Sequence, residues 1–233
     1  MMTNDNNQRT IKAEKRLAGE AAAELVEAGM TVGLGTGSTV AYLLDALAQR
    51  RLNVCCVAIS PATFDTARRL GLDVRPFTGI DHLDLAVDGA DQVDPAGWLV
   101  KGGGGAQTRE KIVVAAAARY VVIVSSNKMM ERLAPPVPLE LLDFGIDATL
   151  RAPGHARVTD KPASPDRGVL AGYFGAIGDP GELAQRLSAI PGVVEHGLFA
   201  IPGVVEHGLF APAMVSDILI GQGTEVRHRH TGN

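Results

Sequence analysis

Lysine, glycine and glutamate come together in the segment KGGGGAQTREK, which runs from Lys101 to Lys111. Four consecutive glycines would cost roughly 0.5–1 kcal/mol each relative to alanine in regular structure, so they are a poor choice for a purely structural turn. Closely spaced backbone N–H groups can instead hold a negatively charged oxygen, and the Glu110 carboxylate can move a proton. The segment therefore indicates proton transfer at an oxyanion site, although Glu110 taken alone would fit an acid in the first turn of a surface helix better.

A second glycine turn, GLGTGST, lies between Gly33 and Thr39, where a predicted strand becomes a predicted helix. Free N–H groups and the helix dipole make such a turn an anion site. A nucleotide P-loop needs a lysine before the hydroxyl residue, and here Gly37 precedes Ser38. A dinucleotide fingerprint needs an acid closing the second strand, and that strand ends at Ser60. The turn is therefore predicted to bind a phosphate group.

A third segment, DGADQVD, places Asp88, Asp91 and Asp94 at and after the carboxyl end of a strand. Open α/β sheets bind their ligands at this edge. The acids fit either a turn rich in aspartate or a carboxylate-only magnesium site, which is less favoured but stays open because magnesium needs no nearby histidine or cysteine. Phosphate-binding groups, hydroxyl-binding aspartates and a carboxylate base together suggest a phosphosugar and proton transfer next to a carbonyl.

Strand and helix patterns alternate through the first half of the chain. The segments TVGLG, NVCCVAIS, DVRPF, HLDLAVD and YVVIVSS predict strands, each joined to the next through a helix or a glycine turn. A helix over EKRLAGEAAAELVEAGM, following a frayed start, is predicted to end at Gly29. This alternation predicts an α/β fold with a Rossmann-like parallel sheet.

The pattern changes after Lys128, where Pro135, Pro136 and Pro138 interrupt the chain. Shorter strand candidates and one helix, GELAQRLSAI, then predict a second, smaller α+β domain. The predicted domains are residues 1–133 with 212–233, which form the Rossmann-like catalytic domain, and residues 134–211, which form the small domain.

The small domain contains a tandem repeat: IPGVVEHGLFA at 190–200 is followed at once by the same sequence at 201–211. Eleven residues repeated twice are too short for a solenoid, so a local duplication with an extra loop is expected. Two identical strand candidates offer equivalent docking choices, and the sequence leaves open which copy is looped out.

Composition excludes several classes of protein. The net charge is −4 without a basic face, which argues against nucleic-acid binding. No apolar run reaches the roughly 18 residues of a membrane span, and no secretion signal is visible. Cys55 and Cys56 are adjacent in an apolar run, which is typical of a reduced cytoplasmic protein.

The three loops resemble those of the type A ribose-5-phosphate isomerase family, through GLGTGST, DGAD-x-VD and KGGGGA-x-TREK. SNK at 126–128 and PGVVEHGLF near the carboxyl end match as well, and the resemblance extends from about Glu14 to Gly221. It implies interconversion of D-ribose 5-phosphate and D-ribulose 5-phosphate through an enediolate, in the non-oxidative branch of the pentose phosphate pathway. No cofactor and no metal are expected, and a homodimer or homotetramer is expected.

The resemblance also implies a role for each matching residue. Glu110 is expected to move the proton between C2 and C1, while Asp88 and Lys101 open the sugar ring and steady the enediolate with Asp91 beside them. Ser38, Thr39, Lys128 and Lys15 are expected to hold or cover the phosphate. With the glycine turns, the substrate-binding residues are Gly35, Thr36, Gly37, Ser38, Thr39, Gly102, Gly103, Gly104, Gly105, Lys128 and Lys15.

The sequence also departs from the family pattern. Gln92 stands where the family usually has glutamate, and the middle of the small domain, the duplication and the ending EVRHRHTGN are unusual. The RHRH segment is interpreted as a solvated tail with adventitious metal binding as the alternative. Two other functions stay open: a sugar-phosphate sensor without catalysis, and an inactive chain whose folding the duplication impairs.

Overall fold

The computed structural model describes residues 2–200 and 215–230, which divide into two compact units. The first unit comprises residues 2–90, 112–129 and 215–230 of the described chain, and the second comprises 91–111 and 130–200. One boundary between the units lies at 129/130, whereas the sequence predicts a boundary at 133/134. Segment 91–111, which the sequence places in the first domain, belongs to the second unit.

A seven-stranded sheet forms the centre of the first unit, and all its neighbouring strands are parallel except the last pair. Its strands are β1 (Thr31–Leu34), β2 (Cys55–Ala58), β3 (Asp73–Val74), β4 (Leu85–Asp88), β7 (Arg119–Ser125), β13 (Val215–Gln222) and β14 (Glu225–His230). The spatial order is β14-β13-β7-β4-β1-β2-β3, with β13 and β14 antiparallel. The buried strands are rich in valine, leucine and isoleucine, as expected for a parallel sheet. The predicted α/β fold class is confirmed.

Helices connect these strands as the alternation predicts. They are α1 (Met2–Ala23), α2 (Ser38–Arg50), α3 (Pro61–Arg69) and α4 (Gln107–Ala115), which begins in the second unit and ends in the first. Helix α3 begins with a proline after Ser60, whose hydroxyl accepts a hydrogen bond from the N–H of Thr63. Helices α1 and α2 supply Ala18, Ala22 and Leu43 to a core that also includes the sheet.

Helix α1 differs from its predicted extent at both ends. It begins at Met2 instead of after a frayed segment, and it ends at Ala23 instead of Gly29. The guanidinium of Arg50 donates hydrogen bonds to the carbonyls of Ala23 and Val26, so it satisfies acceptors that the helix end exposes. A side chain from a different helix therefore determines the end of α1.

Two small antiparallel sheets form the second unit. The four-stranded sheet has the order β11-β8-β10-β9, and the three-stranded sheet has the order β12-β6-β5. The strands are β5 (Gln92–Val93), β6 (Trp98–Val100), β8 (Val137–Leu141), β9 (Ala156–Val158), β10 (Val169–Tyr173), β11 (Val193–His196) and β12 (Leu198–Ala200), with helices α5 (Ile146–Arg151) and α6 (Pro180–Ser188). Their core includes Leu139, Tyr173 and Leu183.

The first copy of the repeat, residues 190–200, forms β11 and β12. The second copy, residues 201–211, lies outside the described residues. In the described part of the chain, no helix is both long enough and apolar enough to cross a membrane.

Candidate functional site

The predicted phosphate loop occupies the turn between β1 and α2. Gly37 precedes the first turn of α2 with a φ of 115°, a conformation that favours glycine. Ser38 is exposed, and its hydroxyl accepts a hydrogen bond of 2.9 Å from the Nζ atom of Lys15 on α1. A helix N-terminus, a hydroxyl and an ammonium group therefore lie together at the carboxyl end of β1, which suits an anion.

Ser60 and Thr63, at the start of α3, hold this loop in place through hydrogen bonds. The Thr63 hydroxyl donates to the carbonyl of Gly35 over 2.9 Å, and the Ser60 hydroxyl donates to the Thr36 hydroxyl over 3.1 Å. Ser60 lies just after the second strand, β2, where a dinucleotide-binding protein would carry an acid. Here that position holds the loop in place instead of binding a ribose.

Asp88 is buried against the phosphate loop at the end of β4, with 5% of its surface exposed. Its Oδ1 atom accepts hydrogen bonds from the N–H groups of Thr36 at 3.1 Å and Gly89 at 2.7 Å. A Cβ atom on Gly35 would lie 2.0 Å from that oxygen, so a larger residue would displace the carboxylate. The glycine at position 35 thus allows the carboxylate and the loop to approach each other.

A cavity of about 420 Å³ opens beside the same loop. Its lining residues are Asn7, Gln8, Ile11, Lys12, Lys15, Ser38, Tyr42 and Asn127. Lys12 was not predicted, although its spacing of three residues from Lys15 places both ammonium groups on one face of α1. Lys128 ends the short 3-10 helix Ser126–Lys128 that follows β7. The first unit therefore brings several cations to one edge of its sheet.

Lys101 and Glu110 form a buried ion pair in the second unit. The Lys101 Nζ atom lies 3.3 Å from Glu110 Oε2, and the two side chains are 2% and 4% exposed. Lys101 follows β6, and Glu110 lies in the first turn of α4, so the glycine run between them brings both groups together. Burial strengthens the attraction between the two opposite charges.

The glycine run folds into a tight turn between these two residues. Gly102 has a φ of 89°, and a Cβ atom there would lie 2.9 Å from the side chain of Gln107. The N–H of Gly103 donates to the Asp91 carboxylate over 2.8 Å, and the ammonium group of Lys161 donates to the Gly103 carbonyl. Asp91 thus holds the loop that carries the buried pair.

Asp94 has a different position from the other two aspartates. Its carboxylate accepts a hydrogen bond of 2.8 Å from the N–H of Trp98, and its own N–H donates to the Trp98 carbonyl. Asp94 therefore closes the turn between β5 and β6, which matches the turn interpretation of this residue.

The first copy of the repeat contacts both ends of the KGGGGAQTREK segment. At one end, the N–H of Lys101 donates to the carbonyl of Gly197 over 2.7 Å, and a Cβ atom on Gly197 would lie 2.1 Å from the Lys101 carbonyl oxygen. At the other end, the Nζ atom of Lys111 lies 2.5 Å from the Glu195 carboxylate. Glu195 and Gly197 were missed as positioning residues, because contacts across 84 residues leave no local pattern in the sequence.

His196 lies between these two anchors and is 3% exposed. Its Nδ1 atom faces the N–H of Leu198 at 3.3 Å and the Nζ atom of Lys111 at 3.4 Å, so Nδ1 is the acceptor. Its Nε2 atom then carries the proton toward the Ser188 hydroxyl at 3.0 Å. Burial and the nearby Lys111 charge lower the pKa of His196 to about 3. Burial also lowers the pKa of Lys111, against the opposing effect of Glu195.

The structure supplies a physical reason for glutamine at position 92. Its Nε2 atom donates to the Ala134 carbonyl over 2.8 Å, and its Oε1 atom accepts from the Ala134 N–H over 2.7 Å. An ionised glutamate could only accept, so the carboxamide makes one more hydrogen bond than the residue usual in this position.

The predicted site residues thus form two groups, one in each unit. The first unit holds Lys15, Gly35, Thr36, Gly37, Ser38, Thr39, Asp88 and Lys128, and the second holds Asp91, Lys101, Gly102, Gly103, Gly104, Gly105 and Glu110. Within the described residues, the group whose ligand atoms converge well enough to hold a metal ion is Asp217, His228 and His230, which belongs to neither set.

The fold and these side chains define an α/β protein with a parallel sheet, an anion-binding turn and a buried acid–base pair. The family described as Ribose 5-phosphate isomerase A (phosphoriboisomerase A) matches residues 55–200. Ribose-5-phosphate isomerase A of Caulobacter sp. (strain K31) is 42% identical over 196 residues, which cover 78% of this chain and 87% of that protein.

Solved structures agree with this match. The crystal structure of ribose 5 phosphate isomerase A from Neisseria gonorrhoeae superposes with a TM-score of 0.83 at 26% identity, covering 94% of this chain and 96% of that one. A D-ribose-5-phosphate isomerase in complex with phospho-erythronic acid superposes with a TM-score of 0.81 at 28% identity, covering 93% and 97%. The chain belongs to the ribose 5-phosphate isomerase A family, and the predicted family is confirmed.

Proposed function

We propose that this chain is an aldose–ketose isomerase that interconverts D-ribose 5-phosphate and D-ribulose 5-phosphate through an enediolate. The observation that carries the proposal is the buried Lys101–Glu110 pair, in which a carboxylate lies 3.3 Å from an ammonium group beside a run of backbone N–H groups. Isomerisation next to a carbonyl needs a base for the carbon-bound proton and positive charge for the resulting oxyanion. The sensor alternative is not favoured, because ligand binding alone needs no such pair.

In the proposed mechanism, Glu110 removes the proton from C2 of the open-chain aldose. The electrons of the broken C2–H bond form a C1–C2 double bond, and the carbonyl electrons move onto O1 to give the enediolate. Lys101 and the N–H groups of the glycine run stabilise this negative oxygen. Glu110 then delivers the proton to C1, while O2 loses its proton and O1 gains one by exchange with solvent, so that a ketone forms at C2 and a hydroxyl at C1. Asp88 and Lys101 assist the opening of the sugar ring that precedes these steps, with Asp91 beside them.

The phosphate group is proposed to bind at the turn between β1 and α2. Ser38, Thr39 and the helix N-terminus supply hydrogen-bond donors, and Lys15 and Lys128 supply positive charge. We add Lys12, which lines the cavity beside this turn. A relative's structure is described as a complex with phospho-erythronic acid, which is a phosphorylated sugar acid and suits the same kind of site.

A direct assay tests the function. Purified protein is mixed with D-ribose 5-phosphate and a chelator, and the formation of D-ribulose 5-phosphate is followed. Turnover that the chelator does not change is expected. Tight binding of the phosphosugar without turnover would instead favour a sensor, and neither binding nor turnover would mean that the duplicated chain is inactive.

We also propose a cytoplasmic location and an assembly of two or four copies. The free thiols of Cys55 and Cys56 suit a reducing compartment. Leu142 and Phe144 are 54% and 94% exposed, and exposed apolar side chains are typical of subunit interfaces. Light scattering after size-exclusion chromatography measures the assembly, and a monomeric mass at micromolar concentration would contradict it.

A further inference from the structure

A buried carboxylate and two histidines meet at one edge of the seven-stranded sheet, outside the two groups of site residues. The Asp217 side chain is fully buried, and its Oδ1 atom lies 2.8 Å from His228 Nε2 and 2.5 Å from His230 Nδ1. The two imidazoles are 47% and 56% exposed, so solvent reaches the group from one side.

The strand geometry explains why these three side chains share one face. His228 and His230 are two residues apart on β14, and alternate residues of a strand point to the same face. In the antiparallel register, Asp217 pairs with His230 and Leu219 pairs with His228. Arg227 and Arg229, which alternate with the histidines along β14, belong to the opposite face.

Arg119 completes the surroundings of the carboxylate. Its Nε and Nη2 atoms lie 2.7 and 2.6 Å from Asp217 Oδ2, so the guanidinium engages the oxygen that the histidines do not contact. Burial raises the pKa of Asp217, but hydrogen bonds from His230, His228 and Arg119 outweigh it and leave that pKa lowered. The carboxylate is therefore ionised and fixed in orientation, as carboxylates that bind metals usually are.

We propose that Asp217, His228 and His230 bind a divalent transition-metal ion of the Zn²⁺ class. Two imidazoles and one carboxylate with an open fourth position form a donor set that such ions favour, whereas Mg²⁺ and Ca²⁺ favour oxygen donors. All three ligand atoms already lie within 4.8 Å of one another.

The present distances fit this assignment after a small movement. Tetrahedral Zn²⁺ with bonds of about 2.0–2.2 Å holds its ligand atoms about 3.3 Å apart. The two histidine nitrogens now lie 2.5 and 2.8 Å from the oxygen, as hydrogen-bond donors. Binding would replace their two protons by the ion and move each ring by less than about 1 Å, while the exposed side of the group leaves room for a water ligand.

The proposed site would join the edge strand β14 to β13. Because the ion binds the folded arrangement of two strands, it stabilises the folded state in proportion to its concentration and affinity. The three ligands are distinct from the proposed catalytic residues, so the site does not depend on the isomerase mechanism. Its role is to hold the edge strand β14 against its neighbour β13.

Calorimetric titration of Zn²⁺ into untagged, metal-free protein tests the site. One ion per chain is expected to bind, with a rise in the thermal unfolding temperature, while Mg²⁺ produces neither effect. In His228→Ala/His230→Ala, affinity for this ion should fall at least about tenfold. The control His82→Ala/His155→Ala removes two other histidines and should keep both the affinity and the temperature shift.

Circular dichroism without metal establishes that each variant is folded. If the double variant fails to fold, His228→Ala alone serves, because that side chain is nearly half exposed. Zn²⁺ binding that the His228 and His230 variants leave unchanged, binding that disappears in the control, or no saturable binding would each overturn the proposal.

Discussion

The coupling between Lys101 and Glu110 gives the sharpest prediction about stability. At 3.3 Å, two unit charges attract each other by about 5 kcal/mol with an effective dielectric constant near 20. Removing one partner leaves the other charge buried, which costs about 3–5 kcal/mol for pairs of this kind. Lys101→Met and Glu110→Gln should therefore each lower the free energy of unfolding by that amount.

The double variant distinguishes this explanation from simple loss of packing. With both charges removed, no buried charge is left without its partner, so the double variant should be at least about 2 kcal/mol more stable than the sum of the single effects. Urea unfolding measures all three, and the single tryptophan, Trp98 on β6, reports the second unit directly. Lys12→Met, which removes an exposed lysine charge, should change stability by less than about 0.5 kcal/mol. Single effects that add to within about 0.5 kcal/mol would refute the reasoning.

Three further predictions concern the buried side chains Gln107 and His196 and the half-buried Gln92. Neither polar atom of the fully buried Gln107 carboxamide has a hydrogen-bond partner among the described residues. Gln107→Leu should therefore raise the free energy of unfolding by about 1–3 kcal/mol in urea titrations. A lower free energy of unfolding in this variant would contradict the prediction. Gln92→Glu removes the donor to the Ala134 carbonyl and should cost about 1–3 kcal/mol at pH 7, whereas an unchanged urea midpoint would contradict the paired hydrogen bonds. The pKa of His196 is about 3 in the folded protein and about 6.5 in the unfolded chain. The unfolded state therefore binds a proton first, and the free energy of unfolding falls as the pH falls from 6.5 toward 3, by at most ~5 kcal/mol. His196→Gln should flatten this dependence and His207→Gln, the matched change in the second copy, should not; equal effects would show that the two copies share the buried position.

The sequence predicts the parallel sheet and the glycine loops well because both follow from local chemistry. Strand and helix periods are local properties of the sequence. The four glycines at 102–105 likewise predict a loop, because glycine is unfavourable inside a helix or a strand. Only eight residues separate Lys101 from Glu110, so the proximity of these two side chains also follows from a short segment.

Contacts between distant segments are what the sequence does not reveal. The end of α1 depends on Arg50, which belongs to another helix. Likewise, Glu195 and Gly197 hold the ends of the KGGGGAQTREK segment from far along the chain, and nothing in their own sequence neighbourhood indicates those partners. Helical spacing predicts that Lys12 lies on the same face of α1 as Lys15. It does not predict the cavity that both side chains line.

The same distinction applies to the repeat. Its two copies are identical in sequence, so local pattern gives no preference between them. In the structure, the first copy pairs with β6 and β8 and contacts both Lys101 and Lys111. The choice of copy therefore depends on tertiary contacts and on chain connectivity.

Turnover by Glu110→Gln tests the central claim most directly. The amide keeps the size of the side chain and loses the base, so kcat for D-ribose 5-phosphate should fall by about 10²–10⁴-fold. Binding of D-ribose 5-phosphate, measured by calorimetry on the same folded preparation, should remain, because the proposed phosphate site is unchanged. Turnover within about tenfold of the unaltered protein would contradict the assignment of Glu110 as the base that moves the proton.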